Sequence, residues 1–383
     1  MPTGTGAVNL RNLPVTKYAI NPGLFNQLTS RVIFDPINFA LPTFGNYVQN
    51  QLLQVGIVGS INLIVSGTIT LTTDNADIVP TSRWPWDLIA VQLSGNGQNN
   101  FVNCQGTDLR LRQLAANRAF VDGQSFWPKL SDFKMGMTTY AFRLVYKIPV
   151  AMDDTTLVGA LYAQSEATNL TYRVTTGTLA DLLQLNTSAT ATLSATVYLE
   201  EEIFEVPYDP QHSDTLVIPD LTVLHGFVAN DNAVASQTTV DTQLFRINGQ
   251  MERLFFYTVD KSTATLPTYY ATTNYDQASL IYGSNQTPYT FNPMDFLDAR
   301  ANRDYRVPLG SVLDGTNGDL WTPSYSGTPN GGGGVYCLDF IADNAVRDQV
   351  LLEGVTNLRL RTQYTSAPTG GSYVHFVQET LFA

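Results

Sequence analysis

The stretch ATNLTYRV at 167–174 returns as VTNLRLRT at 355–362, an offset of 188 residues and about half the length of the chain. One short echo arises by accident in a chain of 383 residues; agreement of offset is what marks a duplication. AANRAF at 115–120 is answered by RANRDY at 300–305, with Ala-Asn-Arg repeated at an offset of 185, and Asp108-Leu109 by Asp295-Phe296 at 187. Three matches in one order within so narrow a window point to two copies of one folded unit.

The patterns around the matches agree. GTDLRLRQLAANR (106–118) and NPMDFLDARANR (292–303) both read as short helices. Asn292 suits an N-cap, Pro293 the first helical position, and Leu111, Leu114 and Ala115 one apolar face. Each helix is followed by a run of strands. In the first copy these are 140–150, 155–163, 169–174 and 191–206, and in the second 334–343, 348–355, 357–364 and 372–382, with Gly, Pro, Asn and Asp as turn signals between them. Further strands precede each helix: LIVSGTITLTT and WDLIAVQL in one half, TQLFRING and RLFFYTVD in the other. The expected fold is all-β, two tandem eight-stranded jelly-roll sandwiches with short helices in inter-strand loops. An immunoglobulin-like pair of sandwiches lacks the Cys…Trp…Cys arrangement and leaves the paired helices unexplained. VPYDPQHSD (206–214) marks the half-boundary, since Pro207 and Pro210 cannot continue a strand ladder. The division is then an N-terminal arm at 1–45, a first unit at 46–208 and a second at 209–383.

Only 14% of residues are charged, against ~25% in ordinary soluble domains, so much of the surface is expected under neighbours. A net charge of −12 argues against gripping nucleic acid, and acids flank both arginine clusters, Arg110, Arg112 and Arg118 in one and Arg300, Arg303 and Arg306 in the other. The first 34 residues are the exception: their charges are Arg11, Lys17 and Arg31, with no acid before Asp35. They read as a weakly basic mobile terminus or as an arm facing anionic lipid headgroups. Pro36 to Thr73 carries no charge, yet its alternation of Ile61, Leu63 and Val65 with other residues is that of a buried strand, not of a membrane anchor. Two cysteines, Cys104 and Cys337, neither demand a disulfide framework nor supply a zinc site.

Groups able to do chemistry are sparse. His212, His225 and His375 are the three imidazoles, and none stands in a metalloprotease pattern. No nucleophile elbow or phosphate loop occurs, and Gly331 to Gly334 lack the lysine and helix such a loop needs. Glu200, Glu201, Glu202 and Glu205 suggest calcium or an acid–base pair, but a water-exposed strand end explains them more simply. DGTNGD, with Asp314 and Asp319, has the oxygens of a calcium loop without the EF-hand spacing. No catalytic, cofactor or metal residues are assigned, and no enzyme is expected. Trp84, Trp86, Trp127, Trp321 and a run of tyrosines from Tyr269 to Tyr289 lie in or beside loops, where aromatics favour protein interfaces or sugar contacts.

Two tandem jelly rolls in a chain of this length, each with a helix in a long loop, resemble the double jelly-roll major capsid proteins of icosahedral double-stranded DNA viruses with an internal membrane, tectivirus-like bacteriophages above all. FRLVYKIPVAMDDTTLVGALYAQSEATNLTYRV (142–174), with Pro149, Asp153-Asp154 and Leu157 to Ala160, looks like a hairpin of the first barrel in that group, and GGVYCLDF (333–340) is similar in placement. The resemblance implies a virion shell component forming pseudo-hexameric homotrimeric capsomers. It also implies contacts with neighbouring capsomers, penton or vertex and minor capsid proteins, and the internal membrane through the arm, with no direct nucleic acid. A receptor- or glycan-binding double sandwich, resting on loop tryptophans such as Trp84 and Trp321, is the alternative. A carbohydrate-active enzyme using Glu200–Glu205 or Asp314 and Asp319 is the third reading.

Overall fold

The structure is a computed structural model that describes residues 31–382 except 73–78, 116–124, 206–220, 261–267, 293–334, 341–349 and several breaks of one to four residues. The expected helix at 292–303, the half-boundary at 206–214, His212, Asp314, Asp319, Trp321, Arg11 and Lys17 all lie outside the described residues, apart from Asn292.

In the first half the strands are β1 (Arg31–Ile33), β2 (Ile37–Ala40), β3 (Tyr47–Gln51), β4 (Ile57–Leu71), β5 (Ile89–Gly95), β6 (Asn99–Gln105), β7 (Thr139–Pro149), β8 (Leu170–Thr176) and β9 (Ala191–Phe204). Helix α1 (Gly106–Ala115) follows β6. The second half has β10 (Leu224–Ala233), β11 (Thr239–Gln243), β12 (Gly249–Asp260), β13 (Tyr275–Tyr282), β14 (Gln286–Phe291), β15 (Tyr336–Asp339), β16 (Leu358–Tyr364) and β17 (Tyr373–Phe382). Strands of two residues are left unlabelled.

The pairings repeat. In the first half β1 and β2 pair with β9, β9 with β4 and β4 with β7, while β3 pairs with β8, β8 with β5 and β5 with β6. In the second half β10, β17, β12 and β15 run in the same order as β1/β2, β9, β4 and β7, and β11, β16, β13 and β14 in the same order as β3, β8, β5 and β6. Each half therefore has two facing sheets with the strand order of a jelly roll. The opening echo sits at equivalent places: Tyr172 of β8 faces Leu93 of β5, and Leu360 of β16 faces Leu280 of β13.

Alternation sets each first-half sheet facing inward. Ile61, Leu63 and Val65 of β4 and Val197 and Leu199 of β9 are buried, with polar or half-exposed residues between them. The second half departs from this pattern, for β17 is buried at every position but the last. Its Val374 and Phe376, with Leu254 and Phe256 of β12, fill the second core. Val377, Phe255, Tyr257 and Val259 turn the other way and join the core of the first half. A sheet covered on both faces reads as a continuous apolar run, which is the character of RLFFYTV. Each such aromatic contributes about 1.5–3 kcal/mol by leaving water.

Three expectations need correction. The strand at 155–163 is reduced to Leu161–Tyr162. The chain turns before it, with φ +55° at Leu157 and +80° at Gly159, and Leu157 and Ala160 pack with Ile57, Ala151 and Phe204 instead of joining a ladder. TQLFRING forms no single strand, because β11 ends at Gln243 and β12 starts at Gly249. Within the stretch assigned to an N-terminal arm, residues 31–33 and 37–40 are strands paired with β9, since β9 would otherwise expose an unpaired edge.

Candidate functional site

The built-up polar site lies where the halves meet. Here β6 of the first half pairs in parallel with β10 of the second, Val102 beside Phe227 and Asn103 beside Val228, so one sheet from each half merges into a continuous sheet.

Helix α1 is anchored from its first residue. A Cβ at Gly106 would stand 1.9 Å from the Trp86 carbonyl oxygen, so only glycine fits. The Tyr146 hydroxyl donates to that same carbonyl at 2.9 Å. Thr107 N–H donates to Asp87 Oδ1 at 3.0 Å, and Gln105 N–H to Asp108 Oδ2 at 2.8 Å. Leu109 and Leu111 are fully buried. The Arg110 guanidinium lies 5.0 Å from the centre of the Trp86 ring, and burial lowers its pKa to about 9. Asp108 and Arg112, one turn apart, meet the second half.

On β17, His375, Val377 and Glu379 share the face turned toward the first half, as the period of two requires. His375 donates from Nε2 to Asp108 Oδ1 at 2.9 Å and from Nδ1 to Asp231 Oδ1 of β10 at 2.6 Å. Burial by itself would lower the imidazole pKa, but the two carboxylates outweigh it and push it up to about 10. The ring stacks on Tyr257 at 4.7 Å. Glu379 is fully buried and accepts from Arg112 Nε at 2.8 Å, Arg253 Nη1 at 3.1 Å and His225 Nε2 at 3.0 Å. Burial would raise its pKa; the two guanidiniums and the His225 hydrogen bond hold it well below the usual carboxylate range. Burial keeps His225 below its ordinary pKa, against the pull of Glu379. Arg112 also donates to the Met152 carbonyl at 2.9 Å, and Arg253 to Asp339 at 2.9 Å. Near the rim of the junction, Arg83 Nη2 of the first half donates to the Tyr373 hydroxyl of the second.

His225 and His375, which stand in no metalloprotease pattern in the sequence, thus tie the halves together. Asp108 stood out in the sequence only as part of the repeat, and Arg112 not as a partner; the usable signal was His375 and Glu379 four apart, on one face of the strand YVHFVQETLF. The arrangement is that of a joint between the halves, built from ion pairs and hydrogen bonds that cross it; no group of three or more His, Cys, Asp or Glu able to hold a metal ion occurs among the described residues.

The glutamate cluster is not a water-exposed strand end. Glu201 points inward beside Val197 and Leu199, accepts from Leu53 N–H at 3.3 Å, and burial raises its pKa to about 7. Glu202 is also buried and accepts from the Ser60 hydroxyl. Glu200 takes Asn62 Nδ2 at 3.4 Å, and Glu205 is exposed. By the period of two Glu200 and Glu202 share one face of β9 and Glu201 takes the other, and each is held by its own partner. Trp84 and Trp86 are 4% and 3% exposed, so they are core, not loop contacts for sugars. Trp84 donates to the Pro128 carbonyl at 2.9 Å, and Trp86 packs edge-on against Trp127 and Tyr146. Cys104 and Cys337 are buried and not joined in a disulfide. Among the described residues no helix is long and apolar enough to cross a membrane.

No family model and no curated protein sequence matches the chain. Solved structures do. The major capsid protein of Sulfolobus Turreted Icosahedral Virus aligns with a TM-score of 0.62 over 92% of this chain and 97% of its own, at 13% identity. The PBCV-1 virus capsid protein gives 0.52 over 92% and 94%, at 12% identity. The major capsid protein P2 of bacteriophage PM2 gives 0.50 over 92% and 98%, at 12% identity. Repeated strand order, merged sheets and these alignments agree: the chain has the double jelly-roll fold of viral major capsid proteins.

Proposed function

We propose that this chain is a viral major capsid protein, a component of the virion's capsid shell that assembles as a homotrimeric, pseudo-hexameric capsomer. The observation that carries the reading is the alignment with the Sulfolobus virus major capsid protein, which takes in nearly the whole of both chains. Two like units per chain support the trimer: three chains then present six similar lobes about one axis, a shape that tiles a closed shell. The sparse charge suits surfaces buried between copies, where a charge is costly to desolvate. On this reading the protein works by shape and is not an enzyme. We divide the chain into a first unit ending near 208 and a second from 209, and shorten the arm to the residues before Arg31, because β1 and β2 pair with β9. The arm, with Arg11 and Lys17, faces the lipid of an internal membrane. Neighbouring capsomers, penton or vertex proteins and minor capsid proteins are the remaining partners.

Negative-stain electron microscopy of the purified chain tests the assembly. Six-lobed particles of ~126 kDa, three times the 42.1 kDa chain, are expected. Two-lobed monomers persisting at high concentration refute the capsomer. For the arm, flotation with anionic vesicles that is lost when residues 1–30 are removed is expected, and equal flotation without them refutes that role.

A further inference from the structure

We propose that the folded chain closes a covalent cross-link inside its first half: the Lys147 amine displaces the side-chain amide nitrogen of Asn62, with Glu200 carrying the proton, so that an isopeptide bond joins β7 to β4.

The register brings the three side chains into one row. Lys147 of β7 lies opposite Asn62 of β4, and Asn62 lies opposite Glu200 of β9. Directly opposed residues point to the same side of a sheet with their Cβ atoms about 5 Å apart, a gap that the flexible arm of a lysine spans. Nucleophile, amide and carboxylate thus follow one another across adjacent strands. A row on the corresponding strands of the second half shows that such neighbours do meet: Arg253 of β12 reaches Asp339 of β15 at 2.9 Å and Glu379 of β17 at 3.1 Å.

Hydrogen bonds set the amide for the reaction. Asn62 Nδ2 donates to Glu200 Oε1 at 3.4 Å, and the Tyr198 hydroxyl donates to Glu200 Oε2 at 3.2 Å. An ionised carboxylate only accepts, so the group that faces Glu200 is the amide nitrogen, the leaving group, turned away from β7. The row is also sheltered. Lys147, Asn62 and Glu200 are half-buried, as are Val145, Ile64 and Tyr198 in the next row. On the other side Ser60 and Glu202, bonded to each other, are buried. Shelter from water suppresses hydrolysis of the amide, the competing reaction.

Lys147 has an interaction of its own in the resting chain, and the step begins when its amine gives up a proton to solvent and turns onto Asn62. The Nζ lone pair forms the bond to Cγ as the carbonyl pair moves onto Oδ1. Nζ and Nδ2 are then neighbours on one carbon, within reach of the same carboxylate, and Glu200 takes a proton from Nζ and hands it to Nδ2. The Oδ1 pair re-forms the carbonyl, the Cγ–Nδ2 bond breaks and ammonia leaves. One amine and one primary amide give one secondary amide and one ammonia, with no oxidant, reductant or cofactor. The closed loop carries β5, β6 and α1, the helix that enters the junction, so the link holds the support of that joint when β7 is pulled.

Mass spectrometry of the full chain tests this, after the folded protein has stood for days and is then denatured. The wild type should be lighter than its sequence by one ammonia, about 17 Da, and trypsin should release a branched peptide joining Asn62 to Lys147, uncut after Lys147. Lys147→Arg and Asn62→Ala should keep the full mass of their sequences, and Glu200→Gln should form the link at least about 100-fold more slowly. Circular dichroism of each variant separates loss of the chemistry from loss of the fold, and the branched peptide of the wild type decides where a variant does not fold. A folded wild type of full mass overturns the proposal. So does an ammonia loss that persists in Lys147→Arg, which marks an asparagine closed on its own backbone. Linkage of Glu200→Gln at the wild-type rate overturns the role of the carboxylate.

Discussion

Replacing His375 by leucine removes the group that neutralises Asp108 across the junction, and the cost follows from what is left behind. Asp108 is fully buried and keeps only the Gln105 N–H at 2.8 Å from the bonds described at the junction. Asp231, the other carboxylate on the ring, has a side chain 47% exposed and returns to water. Stranding one partner of a buried pair costs about 3–5 kcal/mol. The retained N–H and the apolar packing of leucine on Tyr257 bring the expectation to the lower end, about 3 kcal/mol. With a urea slope of about 3 kcal/mol per molar, the midpoint should fall by about 1 M. Adding Asp108→Asn removes the stranded charge while leaving an acceptor for Gln105, so the double variant should regain about 2 kcal/mol. Urea unfolding at two protein concentrations, followed by tryptophan fluorescence, separates this from linkage to assembly. A single-variant loss below about 1 kcal/mol, or the same loss with and without Asp108→Asn, would refute the claim that the pair is coupled across the junction.

The same histidine sets a pH dependence. Its folded pKa of about 10 lies above the ordinary 6.5, so its stabilisation is complete below 6.5 and is lost as pH rises through 10. Unfolding free energy should fall by about 1 kcal/mol per pH unit between 7 and 10 in the wild type, but not in His375→Leu. Glu379 has the opposite sign: its contribution is present above pH 4.5 and is lost as pH falls below it. Arg112→Met should cost about 2–3 kcal/mol in the same urea assay, because Glu379 keeps Arg253 and His225 while the Met152 carbonyl loses a donor; no measurable change would refute the ion pair. Gly159→Ala should lower the thermal midpoint by several degrees, through its φ of +80° and a Cβ only 2.5 Å from that of His225; an unchanged midpoint would refute close approach of the halves there. Neither thiol should react with a chromogenic disulfide in the native protein, since both cysteines are buried and burial raises the Cys104 pKa. Rapid reaction of either would refute its placement.

Much of the architecture was legible in the sequence because it is local or periodic. Offsets that agree within a few residues report duplication without any contact being known, and alternation along β4, β8, β9 and β16 announces sheets with one buried face. The helix at Gly106–Ala115 was readable for the same reason. Where alternation fails, the sequence was silent about the cause. β17 and β12 look merely apolar until the first half is seen to cover their outer face. Leu157 to Ala160 look like strand but fill a turn against Phe204, and Trp84 and Trp86 look like loop residues but are core. The glutamates of β9 read as solvated, although Glu201 and Glu202 lie inside. The junction charges were hidden for a plainer reason: Asp108 and His375 are separated by 267 residues, as are Arg112 and Glu379. The sequence by itself determined that one sheet-building unit occurs twice. Only the tertiary structure decided how the two are locked together, because a buried charge is defined by its partner and not by its own position in the chain.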